Sequence, residues 1–196
     1  MAVSGNPSRR RGSDLVDAIY AAALAEVAEL GLGRLTMDGI AKRAETARTS
    51  LYRRWPSPSE LLLDALSAAH PMEEPTPGAD DLRGDLVASL RLMVDWAISP
   101  AGRAVQAIMG DPRRDPVLVQ GLYERVFAEN GGTFTRTVLL HYARAGEFDE
   151  ALVTPVVADI GEALVIKHLI DAGIPDDDAL GRIVEQAILP AIGIRP

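Results

Sequence analysis

The stretch Leu35–Leu66, LTMDGIAKRAETARTSLYRRWPSPSELLLDAL, decides the fold. A first helical pattern opens at Thr36 and ends near Ala44, with small and branched apolar residues along one face. After a gap of about three residues, Arg48 to Trp55 form a second short helical pattern, which Pro56 ends. Two short helices joined by such a turn, behind a longer supporting helix, predict a helix-turn-helix.

The second short helix is predicted to face DNA, because Leu51 packs inward and leaves arginines and hydroxyl groups outside. Arginine forms paired bonds to guanine edges, and hydroxyls reach bases or phosphates. Tyrosine and arginine at the far end can hold phosphate, as can hydroxyl and backbone N–H groups at the start of the preceding helix. The candidate DNA-binding residues are Thr36, Arg48, Thr49, Ser50, Tyr52, Arg53 and Arg54. The alternatives are a solvated helix end, a salt-bridged surface or a chance cluster and, for Tyr52 and Arg53, a surface cation–π pair.

The distribution of charge along the chain favours binding of a polyanion at the N-terminal end only. Residues 1–54 contain nine Lys/Arg and six Asp/Glu, whereas residues 55–196 contain eleven and twenty-two, so a net +3 precedes a net −11. Residues 1–12 read as a flexible basic arm, either solvated or touching DNA, and have no apolar segment of a secretory signal. The chain has no cysteine and no apolar run long enough for a membrane span. We therefore expect a cytoplasmic protein without membrane contact.

The rest of the chain is also helical in pattern. A supporting helix runs from a cap at Ser13 to about Leu30, and Ser57 or Ser59 caps a fourth, leucine-rich helix. Residues 70–81 form a linker rich in Pro, Gly and acidic residues, and apolar residues at spacings of three and four follow it. The prediction is an all-α fold of about nine helices, with a helix-turn-helix domain at 13–70 and a second helical domain at 80–196.

The quoted stretch resembles the DNA-binding domain of TetR-type (tetracycline repressor) regulators. The resemblance covers about residues 13–66 and rests on a helix opened by Thr, then Ile-Ala, an Ala before the turn, a Leu-Tyr-x-x-aromatic run, and a Ser before a Leu-rich helix. Trp55 stands where the family has a buried aromatic residue, so the resemblance implies that it lies in the core. Three positions depart from the family pattern. Glu45 stands where glycine is common and would be strained, Ala47 cannot cap the third helix, and Pro58 replaces a common cation.

The helix predicted at about 155–173 is apolar nearly all round and therefore needs cover on two sides. One cover is its own domain, and the other is a second subunit; the alternative is complete burial in a monomer. The resemblance implies that this helix and the last one pair with their copies in a two-fold dimer that reads a palindrome of double-stranded DNA. The candidate interface residues are Val157, Ile160, Leu164, Ile183, Val184, Ala187 and Ile188.

The resemblance also implies a small-molecule cavity in the C-terminal domain. Aromatic residues and methionines favour an apolar or weakly polar ligand, although each residue alone also suits an ordinary core. The candidate ligand-binding residues are Met93, Trp96, Met109, Tyr123, Phe127, Phe134, His141 and Tyr142. No cofactor is implied, and His141 and His168 are too isolated to suggest a metal site.

The favoured function is a ligand-responsive, dimeric transcriptional regulator, most often a repressor among proteins of this kind. The first alternative is an architectural DNA-binding protein without a ligand. The second is an enzyme on a helical bundle, which lacks support because the sequence has no Glu-x-x-His motif, phosphate loop or Ser/His/Asp arrangement.

Overall fold

The described parts of the chain, residues 12–71, 81–127 and 135–195 of a computed structural model, are helical and contain no strand. The α-helices are α1 Ser13–Leu30, α2 Met37–Arg43, α3 Arg48–Tyr52, α4 Pro58–Ala69, α5 Leu82–Ile98, α6 Pro100–Gly110, α7 Pro116–Gly121, α8 Arg136–Arg144, α9 Pro155–Asp171, α10 Asp177–Ile183 and α11 Leu189–Ala191. A π-helical turn, Leu122–Phe127, extends α7, and another, Val184–Ile188, joins α10 to α11. The all-α prediction is confirmed, with ten continuous helices in these ranges against about nine predicted.

Local capping signals set where most helices begin. Thr36, Ser57, Thr154 and Asp176 each precede a helix, and each side chain accepts a hydrogen bond from a backbone N–H of the first turn. Ser13 differs from the prediction, because it is the first helical residue and the residue before it is the N-cap. The residue types at Thr36 and Ser57 therefore predicted the starts of α2 and α4 correctly.

The residue pattern also predicts one long helix from Val117 to about Ala145, with a disturbance at Gly131-Gly132. The described parts of this span are α7 with its π-turn, and α8. The π-turn after α7 ends at Phe127, and α8 begins at Arg136. Residues 128–134 lie outside the described ranges, as do 1–11 of the predicted arm and most of the predicted linker.

The first hydrophobic core joins the helix-turn-helix head, which we define as α1–α4, to part of the C-terminal half. Buried residues of α1–α4, such as Ile19, Leu51 and Leu62, share one cluster with Ala104 and Ile108 of α6 and with residues of α7 and its π-turn. Helix α6 packs on α1, and the π-turn packs on α4. The head therefore packs directly on α6 and the π-turn of the C-terminal half, and the linker is not its only connection to that half.

The second core lies among α5, α8, α9 and α10 with its π-turn. Helix α9 meets α5 closely, because a Cβ added at Gly161 would lie 2.8 Å from Leu90 Cδ2. Trp96 of α5 packs against both cores and so lies at their junction. No helix within the described ranges is both long enough and apolar enough to cross a bilayer.

Candidate nucleic-acid interface

The turn between α2 and α3 has the hydrogen bonds of a Schellman motif. The N–H of Thr46 donates to the carbonyl of Ala41 (N···O 3.0 Å), and the N–H of Glu45 donates to that of Lys42 (3.3 Å). Glu45 has φ 52°, the left-handed region that favours glycine, as the sequence departure predicted. Ala47 precedes α3 without a side-chain cap. The turn thus keeps its geometry at the expense of strain at one residue.

Helix α2 is held on α1 by a charged cluster. The buried Glu26 accepts from Nε of Arg43 at 2.9 Å, and the exposed Glu29 accepts from both terminal nitrogens of the same guanidinium at 3.0 and 2.7 Å. Hydrogen bonding from Arg43 lowers the pKa of Glu29. Gly39 leaves room for the cluster, since a Cβ there would lie 2.6 Å from Glu26 Oε2. These contacts fix the position of α2, including its N-terminus at Thr36.

Thr36 ends the loop before α2 with its hydroxyl engaged in capping. Its Oγ1 accepts from the N–H of Gly39 at 3.0 Å, while the residue itself is exposed. Because the hydroxyl proton is not used by that bond, it can still be donated to a phosphate oxygen.

Helix α3 presents its polar residues outward. Leu51 is completely buried, whereas Arg48, Thr49, Tyr52, Arg53 and Arg54 are exposed and Ser50 is partly exposed. All the candidate DNA-binding residues on α3 and the turn that follows it therefore lie at the surface of the head.

Arg48 has protein partners in this DNA-free chain. Its Nη1 donates to Asp38 at 2.9 Å, its Nη2 donates to the hydroxyl of Tyr52 at 3.1 Å, and its guanidinium lies 5.1 Å from the centre of the Tyr52 ring. The Tyr52 hydrogen bond and Asp38 raise the pKa of Arg48, which stays charged. Sequence reasoning paired Tyr52 with Arg53 as its surface alternative and did not foresee Asp38. Within residues 12–71, ion pairs engage Arg43 and Arg48 but neither Arg53 nor Arg54.

Trp55 lies in the core, as the resemblance implied, and begins a polar network. It is 5% exposed, and its indole N–H donates to Asp64 Oδ2 at 2.8 Å. The other oxygen of Asp64 accepts from Arg125, whose second nitrogen donates to Glu60 at 2.7 Å. We call residues 48–55, which comprise α3 and the turn after it, the recognition segment. The network connects the end of this segment, through α4, to the π-turn of the C-terminal half.

This geometry, a two-helix unit with an arginine- and hydroxyl-bearing helix exposed on a fixed support, defines a helix-turn-helix DNA-binding protein. Comparison with known proteins identifies the kind. Residues 19–65 match the model for bacterial regulatory proteins of the tetR family, and residues 76–187 match the tetracyclin repressor-like C-terminal domain. The chain belongs to the TetR family of transcriptional regulators.

Relatives and solved structures agree with this assignment. The chain is 29% identical over 204 residues to the DNA-binding transcriptional repressor TetR of Mycobacteroides abscessus, covering 95% of this chain and 97% of that protein. It is 25% identical over 175 residues to an uncharacterized HTH-type transcriptional regulator of Mycobacterium tuberculosis, covering 89% and 86%. The flavonoid-responsive regulator FrrA matches with a TM-score of 0.59 and 26% identity, covering 91% and 95%. A TetR transcriptional regulator from Agrobacterium tumefaciens shares the fold, with a TM-score of 0.63, 21% identity and coverage of 91% and 94%.

The candidate ligand residues are only partly brought together. Trp96, Tyr123 and Phe127 form ring contacts, with Phe127 5.6 Å from Tyr123 and 6.4 Å from Trp96 between ring centres, although Tyr123 is 54% exposed. Met109 is partly buried against the first core, and Met93 is buried in the second. His141 is exposed on α8, and Phe134 lies outside the described residues.

Tyr142 is a structural residue of the second core. It is 1% exposed, and its hydroxyl donates to Asp85 at 2.7 Å. Burial, followed by the bond to Asp85, raises the pKa of Tyr142 to about 12. The hydroxyl of Tyr142 therefore forms a hydrogen bond within the protomer.

His70, which sequence reasoning missed, joins the aromatic contacts. Its ring centre lies 5.3 Å from that of Trp96 and 5.7 Å from that of Phe127, and burial lowers the pKa of the imidazole. His70, Trp96 and Phe127 thus form an aromatic cluster where the head meets the C-terminal half.

A shallow groove of about 430 Å³ lies elsewhere, on α1 and α2. It is lined by alanines with Asp14 and Arg43, and so it does not have the aromatic character predicted for the ligand site.

The candidate interface residues divide into two groups. Val184 and Ile188 are at most 1% exposed and lie in the protomer's own core, so they face α9 and α5 rather than solvent. Leu164 is 39% exposed, while Val157, Ile160, Ile183 and Ala187 are partly exposed.

Among the described residues, no group of three or more His, Asp or Glu side chains could hold a metal ion.

Proposed function

We propose that this TetR-family regulator is a dimeric repressor that leaves a palindromic DNA operator when a small apolar or weakly polar molecule binds its C-terminal domain. The observation that carries the proposal is the outward presentation of α3 on a head whose support extends into that domain. The protein would act in the cytoplasm, where bacterial operators lie.

On DNA, the roles divide along α3. Arg48, Thr49 and Ser50 would face base edges in the major groove. Thr36, Tyr52, Arg53 and Arg54 would hold the phosphate backbone. Because both side chains of the Asp38–Arg48 pair are exposed to solvent, water screens the pair and it contributes little to stability, so a guanine or phosphate can take the place of Asp38.

The aromatic cluster supports a ligand site beside the π-turn. His70, Trp96 and Phe127 offer ring faces suited to an apolar ring compound, and FrrA is a flavonoid-responsive example among similar structures. Phe127 lies two positions after Arg125, which contacts Asp64, the partner of Trp55. A ligand that displaces Phe127 would thus act on the anchor of the recognition segment and favour a conformation that no longer fits both half-sites.

DNA recognition is tested by selecting bound sequences from random duplex DNA with the full chain. We expect a palindrome with half-sites about one helical turn apart. Arg48→Ala should relax the preference at one base pair per half-site and weaken binding by about 1–3 kcal/mol per contact. Arg53→Ala should weaken binding to all sequences and flatten the salt dependence. Arg113→Ala is the control, because that side chain is 91% exposed and lies outside the head.

Ligand response is tested on the selected duplex. A panel of apolar ring compounds, flavonoids included, should contain one that raises the melting temperature of the protein and lowers its affinity for the duplex. If no compound shifts the melting temperature and DNA binding stays specific, the architectural alternative replaces the repressor. If the chain does not prefer any sequence over random DNA, the proposed operator recognition is wrong.

A further inference from the structure

Helix α9 carries apolar side chains on the face that points away from its own subunit. Its inner face consists of Ala158, Gly161 and Val165, which are buried. On the outer face, Val156 is 74% exposed and Ile170 is 76% exposed. A surface helix ordinarily places its polar residues on such a face, so this one is suited to a further protein surface.

The outer face also carries one charge of each sign, placed evenly about a small residue. Ala163 is exposed at the middle of the face, with Asp159 four residues before it and Lys167 four residues after it. Val156 and Ile170 stand seven residues before and after Ala163. At 3.6 residues per turn, positions four and seven residues from a central residue lie on its side of the helix.

We propose that this face packs antiparallel against the same face of a second copy of the chain, with the two-fold axis passing at Ala163. Asp159 of each subunit then meets the partner's Lys167, and Val156 meets the partner's Ile170. The proposal rests on the proposed dimer and assigns its register. The outer face of α9 is the centre of the interface, and Val184 and Ile188 stay in the protomer's own core.

Charge selects this register among the alternatives. An antiparallel two-fold sets residues at equal distances from the axis opposite one another, about 6 Å along the helix from the centre for four residues. An axis at Asp159 would place that carboxylate against its own copy, and an axis at Lys167 would place two ammonium groups together; both are repulsive. An axis at Ala163 pairs opposite charges twice, and the small side chain lets the helices approach closely.

Lys167 is available for the partner. Its ion pair within the protomer is to Asp171, one turn along the helix, and the side chains of the pair are 67% and 53% exposed. Exposed pairs at this spacing are weak because water screens them, so the ammonium group can contact carboxylates on both chains.

The test uses charge reversal in the full chain, with the dimer dissociation constant measured by analytical ultracentrifugation at low salt. Asp159→Lys and Lys167→Asp each place like charges at both symmetric contacts, so each variant alone should dimerise on the order of tenfold more weakly or worse. Mixed together, the two variants should form heterodimers in preference to either homodimer, because every contact then pairs opposite charges. The double variant D159K/K167D should recover wild-type dimerisation.

Two controls separate the causes. Asp95→Lys makes the same charge change on the exposed surface of α5 and should leave dimerisation unchanged, and circular dichroism confirms that each variant is folded. A wild-type dimer whose single variants dimerise normally, or do not prefer each other in the mixture, would overturn the register and leave the proposed dimer intact. A wild-type chain that stays monomeric while bound to its operator would overturn the proposed dimer and the register with it.

Discussion

Asp64 should control both the stability of the head and its attachment to the C-terminal half. Replacing it by alanine removes the acceptor of the Trp55 indole N–H, which is 2.8 Å away, together with one of the two carboxylates that bind Arg125. A hydrogen bond to a charged acceptor contributes about 1.5–3 kcal/mol. The Arg125–Asp64 pair, with side chains 35% and 37% exposed, adds at most about 1 kcal/mol.

The expected loss for Asp64→Ala is therefore about 3 kcal/mol in the free energy of unfolding. For a chain of this length, such a loss lowers the melting temperature by about 6–12 °C. Asp64→Asn is the matched control, because its amide oxygen can still accept from Trp55 although the charge is lost; it should cost about 1 kcal/mol.

Scanning calorimetry at one protein concentration measures both variants, since dimerisation would make the melting temperature depend on concentration. Operator affinity, measured in parallel, should fall more for Asp64→Ala than for Asp64→Asn, because Trp55 anchors the residues that follow α3. The reasoning is refuted if the alanine and asparagine variants melt together, or if both melt with the wild type.

Three further predictions concern single positions. Glu45→Gly should stabilise the chain by about 1 kcal/mol in chemical denaturation, because it relieves the left-handed backbone at φ 52°; destabilisation would show that this residue is not strained. Gly102→Ala should cost about 1–3 kcal/mol, since its Cβ would lie 2.3 Å from a backbone oxygen of α5, whereas the control Gly110→Ala, with open space at its Cβ, should cost nothing. Burial, followed by the nearby Asp159, raises the pKa of Glu162. The folded state therefore holds the proton of Glu162 more tightly than the unfolded chain does. The contribution of Glu162 to the free energy of unfolding is complete below its unfolded pKa of about 4.3 and falls as the pH rises through the raised pKa. Glu162→Gln should accordingly melt higher than the wild type at pH 7 but not at pH 4, and equal melting temperatures at pH 7 would contradict the assignment.

The features that could be predicted correctly from the sequence depend on residues close together in the chain. Thr36 and Ser57 bond to N–H groups three residues away, so the residue type and the following pattern suffice to place each helix start. The strained turn at Glu45 was likewise expected from one position in a short motif. Such features depend on neighbours that the sequence itself supplies.

Partners distant in sequence were not foreseen. Arg125 lies 61 positions from Asp64 and joins it only because the π-turn packs on α4. Periodicity placed Val184 and Ile188 on an apolar stripe but could not tell which surface covers it, and the fold turns that stripe into the protomer's own core. The pairing of Asp38 with Arg48 depends on how α2 and α3 cross, which no spacing reveals.

The first core has a consequence for building chimeric regulators. Helix α6 and the π-turn after α7 complete the packing of α1 and α4. A head cut at the linker and fused to another regulator would place the faces of α1 and α4 that pack on α6 and the π-turn against a foreign surface. An exchange of DNA specificity between relatives is therefore better made by transplanting the outward residues of α3 alone, or by moving residues 100–127 together with the head. The unit that can be exchanged in this protein is larger than the unit that reads DNA.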